Sequence, residues 1–396
     1  MDAEIRTYLE RQLLRGEDLR RLVAGTDSDG VHPNRGWVYD ADLGFVHATS
    51  VHSGSGVNGS NTIYDYEKDG ARKLVNCADA PSRIHTYGDS FTHGDQVNDG
   101  ETWQEYLAAR LQEPVRNYGV GAYSVYQAYR RMRKVRDMGE RAEYIVLNIF
   151  DDDHYRNLIW RGLNVFAEGL VRPWPGIPFL PTRPYLRIDI SANICVEQDN
   201  PIASPNDLNK LCDIDFVCGE FGEDPTVYLA MAKQIKGERA FTYLDWAADG
   251  FGTTVSGSGA ENVEAAVMAV FAKAALFSTR RVVELVERFC AENNIGLLFV
   301  LSYRQSSIRS VLDGGDRFDQ VFVDWLKSRS HPVVDMCEFF EAAFEHSTLG
   351  SDSFLKPYYI GHHTPLGNAF TTCAIVDEVS TWLDPTPVTY KSGVGN

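Results

Sequence analysis

Five short apolar runs, most of them separated by helical patterns, constrain this chain more than any other feature. They lie at 83–87, 115–118, 144–149, 296–301 and 332–335. Ile84 and Tyr87 in the first, Ile145, Val146, Leu147 and Ile149 in the third, and Leu297 to Leu301 in the fourth are the residues of strands buried on both faces. Between the strands, Thr102–Leu111 carries Trp103, Tyr106, Leu107 and Leu111 at helical spacing, and Ser124 caps a helix running to Arg136. Phe318–Ser328 and Pro365–Trp382 are two further helices, the second with Leu366, Phe370, Ile375, Val376 and Val379 as its apolar residues. Strand alternating with helix predicts a parallel sheet clothed by helices. In such sheets the loops leaving the carboxyl ends of the strands form the ligand cleft. Ser90, Gly121 and Asp151 to His154 all fall on such loops.

The rest of the chain is laid around that core. Residues 1–81 read as a helix over Glu4–Val23 and a β-rich leader, with strands at Trp37–Tyr39, Leu43–His47 and Thr62–Tyr66 and a mobile Gly/Ser loop at 51–61. Residues 82–160 are the first part of the core. Residues 161–262 interrupt it with a proline-rich stretch, a hairpin (Tyr185–Ile190 with Asn193–Glu197) and short helices at Asp207–Cys212 and Val227–Ile235, an insertion expected to cover the cleft. Residues 263–385 complete the core. They open on a long helical pattern over Val263–Glu292, either continuous or broken at Ser278-Thr279. Residues 386–396 are expected to be a flexible tail.

A chain of 396 residues has room for one large or two modest domains. A net charge of -17 argues against nucleic acid or an anionic membrane as partner. No run approaches the length of a membrane span, and the charged amino terminus, MDAEIRTYLERQLLRGEDLRRL, has no apolar segment of a signal peptide, so a cytoplasmic location is expected. The seven cysteines are odd in number and form no Cys-x-x-Cys pair. Cys290 and Cys373 sit in apolar helical patterns, and buried, reduced thiols are expected.

Nucleophilic acyl transfer needs an activated hydroxyl, a base, an orienter for the base, and donors for the developing oxyanion. Ser90, in Gly88-Asp89-Ser90, supplies a hydroxyl at a strand-to-loop junction, where the plain alternative is an Asx-type turn. His362 and His363 supply a base. They precede Thr364-Pro365, which by itself reads as a helix entry. The run Asp151-Asp152-Asp153-His154 offers metal-ligand atoms, but neighbours on one loop rarely converge on one ion, so no metal and no cofactor are expected.

In order and spacing these blocks resemble the SGNH (GDSL-like) hydrolases, a family of serine esterases and acyltransferases. Gly88-Asp89-Ser90-Phe91-Thr92 matches the family's first block, Asn117-Tyr118-Gly119-Val120-Gly121 resembles the second, and His362-His363-Thr364-Pro365-Leu366-Gly367-Asn368 resembles the last. The likeness covers roughly 82–160 and 263–382. It implies a flavodoxin-like three-layer α/β/α sandwich, here with the leader and the insertion added. It also implies Ser90 as nucleophile, His362 rather than His363 as base, and the Ser90 and Gly121 N–H groups as oxyanion donors. Asp89 would be structural, and His93 and Asp95 would line the cleft.

Two departures stand out. Where the family places an oxyanion-binding Asn, this chain has Asp152, with Asp151 next to it; an ionised carboxylate accepts hydrogen bonds and cannot donate. Either that donor is lost or one carboxyl is held protonated. Asn148 falls earlier, facing the core, and Arg156 is a candidate ion-pair partner for the acidic run. The family's Asp before the histidine is replaced by Tyr359 and Ile360. A backbone carbonyl near Tyr359, or Asp352, is then the expected orienter. Tyr358, Tyr359 and Trp160 are either aromatic walls or core. The expected activity is hydrolysis of an acyl or acetyl ester of a sugar or another small polar metabolite. O-acyl transfer on the same residues and non-catalytic ligand binding are the alternatives, and the oligomeric state is not legible.

Overall fold

A computed structural model describes residues 2–14, 36–160, 182–255 and 262–391. The chain forms two compact units, Met1–Val46 with His154–Arg281 and His47–Asp153 with Val282–Asn396. The divisions thus fall after 46, 153 and 281, whereas the sequence pattern set its boundaries at 81, 160 and 262.

In the first unit Asp2 caps a helix over Ala3–Glu10, accepting the Glu4 N–H. The remainder of the helix expected to reach Val23, and the prolines at 173, 175, 178 and 181, lie outside the described residues. The antiparallel pair Tyr185–Asp189 with Ile194–Gln198 forms the expected hairpin. Pro205–Cys212 is a 3₁₀ helix, and Pro225–Gln234 is helical as expected. Helices at Ile214–Phe221 and Glu238–Gly250 were not legible. Trp160 is buried with its ring stacked on Phe221 at 3.3 Å, so it is core and not a cleft wall. Val263–Glu292 is one continuous helix. The Ser278 and Thr279 hydroxyls turn back onto the Ala275 carbonyl, and Asn157 donates to both, which satisfies them inside the helix without a break.

The second unit is built on a five-stranded parallel sheet. Its strands are β1 (Ile84–Tyr87), β2 (Val115–Asn117), β3 (Tyr144–Phe150), β4 (Gly296–Ser302) and β5 (Val333–Asp335). The spatial order is β5-β4-β3-β1-β2, with Ile84 opposite both Val115 and Tyr144 and Leu297 opposite Ile145. This is the flavodoxin-like order. Successive side chains in a strand point to opposite faces. Every residue of β1, and six of the seven in both β3 and β4, is buried, so both faces of the central strands are covered. The order reverses at β1. The loops after β1 and β3 therefore leave at a topological switch point, where such sheets form their clefts.

The helices Trp103–Leu111, Val125–Asp137 and Pro365–Trp382 match expectation, and Ser124 caps the second by accepting the Gln127 N–H. Helices at Gln305–Leu312, Met336–Phe344 and Ser351–Leu355 were not legible. The first buries only Ile308, which leaves no apolar stripe to read, and the second follows β5 without a turn residue between them. The stretch at 51–61, expected to be a loop, begins in the strand Ser50–His52, which pairs with Thr62–Tyr64. Thr389 donates to the Arg110 carbonyl, so the start of the expected tail is tied down. None of the seven cysteines forms a disulfide. Cys290 and Cys337 are buried, but Cys373 is exposed, because it falls on the outer side of its helix between buried Thr372 and Ile375. No described helix is long and apolar enough to cross a membrane.

Candidate active site

The end of β1 forces a tight exit. Gly88 has φ +153, and a Cβ there would lie 2.6 Å from the Asn148 carbonyl oxygen and would also strike Thr92. Gly88→Ala is therefore expected to lose about 2–4 kcal/mol in urea unfolding, from backbone strain and overpacking together. An unchanged midpoint would refute the tight exit. After Gly88, Asp89 caps the short helix Ser90–His93: its Oδ1 accepts the Phe91 N–H at 2.9 Å. Its Oδ2 accepts the Ser90 hydroxyl at 3.1 Å. Both residues are buried. In this structure Ser90 is thus held by its neighbour and not by an imidazole.

The next turn brings a histidine–carboxylate cluster. His93 Nδ1 and Asp95 Oδ1 are 2.5 Å apart, and His93 Nε2 is 2.7 Å from the Tyr66 hydroxyl. Burial pushes the His93 imidazole down to about 4 despite the facing carboxylate, so at neutral pH it is uncharged and donates Nδ1–H to Asp95. Burial opposes the charge on Asp95, but the facing histidines, His93 first, hold its carboxyl well below the usual carboxylate range. His47 stacks on His93 at 4.4 Å, and its Nε2 accepts the Gly121 N–H at 2.9 Å. The N–H expected to face an oxyanion is therefore engaged by His47.

At the end of β3, Asp151 accepts the Ser307 hydroxyl at 2.6 Å and Arg304 Nε at 3.1 Å. Asp152 is ion-paired to the same guanidinium. Arg304, just beyond β4, is thus a partner of the acidic run that the sequence did not mark. A carboxylate clamped by a guanidinium accepts and does not donate, so the expected donor role of Asp152 finds no support in this pairing.

His362 lies on the loop before the last helix. Its Nδ1 is 3.0 Å from Gln96 Oε1, and its Nε2 is 4.0 Å from Asp95 Oδ2. The Phe91 ring, next to Ser90, is 5.1 Å from the His362 ring, 4.9 Å from His363 and 4.1 Å from Phe150. His363 is buried, and burial pushes it down to about 3. Neither expected orienter meets the His362 ring. Asp352 sits on an exposed helical turn and binds Arg309 at 2.9 Å, and the partner of His362 Nδ1 is a side chain rather than the Tyr359 carbonyl. Tyr359 is itself buried, its hydroxyl donating to the Tyr303 carbonyl.

Three of the buried histidines make stability depend on pH. Burial pushes His85 and His93 to about 4 and His363 to about 3, against an unfolded value near 6.5. Between those values the unfolded chain binds protons that the fold excludes, so stability falls as pH drops through this window. Unfolding free energies from urea titrations at pH 7 and pH 5 should differ by about 1–2 kcal/mol for each histidine. A midpoint that stays level would contradict neutral burial.

Among the described residues, ligand atoms of His47, His93 and Asp95 lie within 4.8 Å of one another, a set with the chemistry of a divalent-cation site. Their facing atoms are already engaged: His47 Nε2 with the Gly121 N–H, and His93 Nδ1 with Asp95. Four residues the motifs did not assign, His47, Tyr66, Gln96 and Arg304, thus complete the surroundings of Ser90, Gly121, Asp151 and His362.

No family model matches this sequence, and no curated protein matches it. Among solved structures it is similar to a chain described as "a putative lipolytic protein of G-D-S-L family" from Desulfitobacterium hafniense DCB-2, at 10% identity and a TM-score of 0.34, covering 74% of this chain and 98% of that one.

Proposed function

We propose that this protein is a serine-dependent ester hydrolase of the SGNH type, with Ser90 as nucleophile and His362 as general base. The observation that carries the reading is the packing of the His362 ring against Phe91, the residue after Ser90, with centroids 5.1 Å apart, in the loop that leaves β1 at the switch point of the sheet. In the working cycle Ser90 turns about χ1 from Asp89 toward His362 Nε2, a change between staggered rotamers. It then attacks the ester carbonyl while the imidazole takes its proton. Asp95 faces the positive charge that His362 then carries. The Ser90 N–H, at the first position of its helix and without an intrahelical partner, meets the oxyanion, and the Gly121 N–H joins it when His47 yields. The small polar ester, of an acyl or acetyl group, follows from the family likeness of the blocks around Ser90 and His362.

Labelling with a fluorophosphonate, read by intact mass, tests this. One adduct, lost in Ser90→Ala, is expected. The resting bonds Ser90–Asp89 and Gly121–His47 favour a second reading, a ligand-binding protein on a hydrolase scaffold. Folded wild-type protein without an adduct would establish that reading instead.

A further inference from the structure

We propose that Gln96 is the positioning residue of His362, doing with a neutral amide what a carboxylate does elsewhere in serine–histidine sites. The proposal rests on the reading of Ser90 and His362 as nucleophile and base.

The amide orientation follows from partners that leave no choice. The backbone N–H of His362 can only donate, and it meets Gln96 Oε1 at 2.8 Å. The Ser55 carbonyl can only accept, and it meets Gln96 Nε2 at 3.0 Å. Oε1 is therefore the acceptor of the pair, and His362 Nδ1, at 3.0 Å from the same oxygen, carries the hydrogen. That assigns the ring tautomer: Nδ1–H is spent on Gln96 and Nε2 holds the lone pair that a general base needs. An orienting group does two things, fixing ring direction and fixing tautomer, and Gln96 Oε1 does both while also anchoring the loop through the main chain.

Gln96 is itself held. Its backbone is left-handed, at φ +71, a conformation uncommon for a residue with a side chain. It is kept there by the Tyr64 hydroxyl, which accepts the Gln96 N–H at 2.7 Å. On the other side, Gly361 lets the amide approach, since a Cβ there would lie 2.8 Å from Gln96 Oε1. A strained backbone, an amide held at both its oxygen and its nitrogen, and a glycine opposite are the arrangement of a group aimed at one atom. The cost of that conformation is met only where the surroundings over-determine it.

The test uses the full chain with Gln96→Asn and Gln96→Glu. Asn tolerates the left-handed backbone but withdraws the amide by one methylene, so it separates loss of reach from loss of fold. Two quantities are measured: the tautomer of His362 from ¹⁵N-edited histidine spectra, with the signal identified by its absence in His362→Gln, and the fluorophosphonate labelling rate between pH 5 and 9. Wild type is expected to show the Nδ1–H tautomer. Gln96→Asn should give mixed tautomers and labelling slower by about 10–100-fold. Gln96→Glu should restore labelling, with its acid limb moved to higher pH, because a carboxylate stabilises the imidazolium and so removes free base sooner on acidification. An unchanged tautomer and rate in Gln96→Asn would overturn the proposal alone. A wild-type protein that does not label overturns the reading of Ser90 on which it rests.

Discussion

Ser90→Ala is expected to abolish turnover of an activated acetyl ester, lowering kcat/KM by about 10³–10⁵-fold, and His362→Ala should lose nearly as much. The double variant should be no worse than either single one, because nucleophile and base act as a unit and removing one idles the other. Stability should scarcely move in Ser90→Ala. The hydroxyl bonds only to Asp89 Oδ2, whereas the cap on the Phe91 N–H is made by Oδ1 and survives. A parallel urea titration therefore separates lost chemistry from lost fold. Asp89→Ala behaves differently: it removes the cap and the resting partner together, and is expected to cost about 1–2 kcal/mol. Turnover that persists in well-folded Ser90→Ala would place the nucleophile elsewhere.

The sheet was legible because buried parallel strands leave runs such as Ile145–Ile149 and Leu297–Leu301, in which both faces are apolar and no alternative period competes. The loops that carry Ser90 and His362 were legible because glycine, proline and capping residues fix them locally. The departures were legible as absences, but their replacements were not. Gln96 and His362 meet across most of the chain, and glutamine carries no motif. Arg304 reaches Asp151 and Asp152 from the end of a different strand, a pairing set by the strand order and not by any spacing. His47 was read as the end of a leader strand, and only the fold brings its Nε2 to Gly121. The sequence thus shows which groups chemistry requires, and topology decides which side chains meet them.

The largest effect on stability is expected at a residue no motif marks. Arg72 is 2% exposed, and its guanidinium donates to the carbonyls of His93 and Gly94 at 2.7 Å, to that of Val97 at 2.5 Å, and to Asp99 at 2.8 Å. It also lies over the Tyr64 ring at 4.5 Å. One side chain therefore satisfies the backbone of the segment carrying Asp95 and Gln96, which has too few regular hydrogen bonds to satisfy itself. Arg72→Met fills similar volume but strips the guanidinium from all four acceptors; the His93 carbonyl keeps Asn117 Nδ2 and Asp99 keeps the Asp65 N–H, while the buried Gly94 and Val97 carbonyls lose the donor they have. The loss should be about 3–5 kcal/mol in urea unfolding. Arg72→Lys should recover little, since an ammonium is a compact charge and cannot fork across carbonyls on both sides of a turn. Hydrogen exchange should locate the damage: amides at 93–99 lose protection first, while those of β3 and β4 keep theirs. If Arg72→Met unfolds at the wild-type midpoint, the segment is held by something other than this guanidinium, and the support inferred for Gln96 and His362 goes with it.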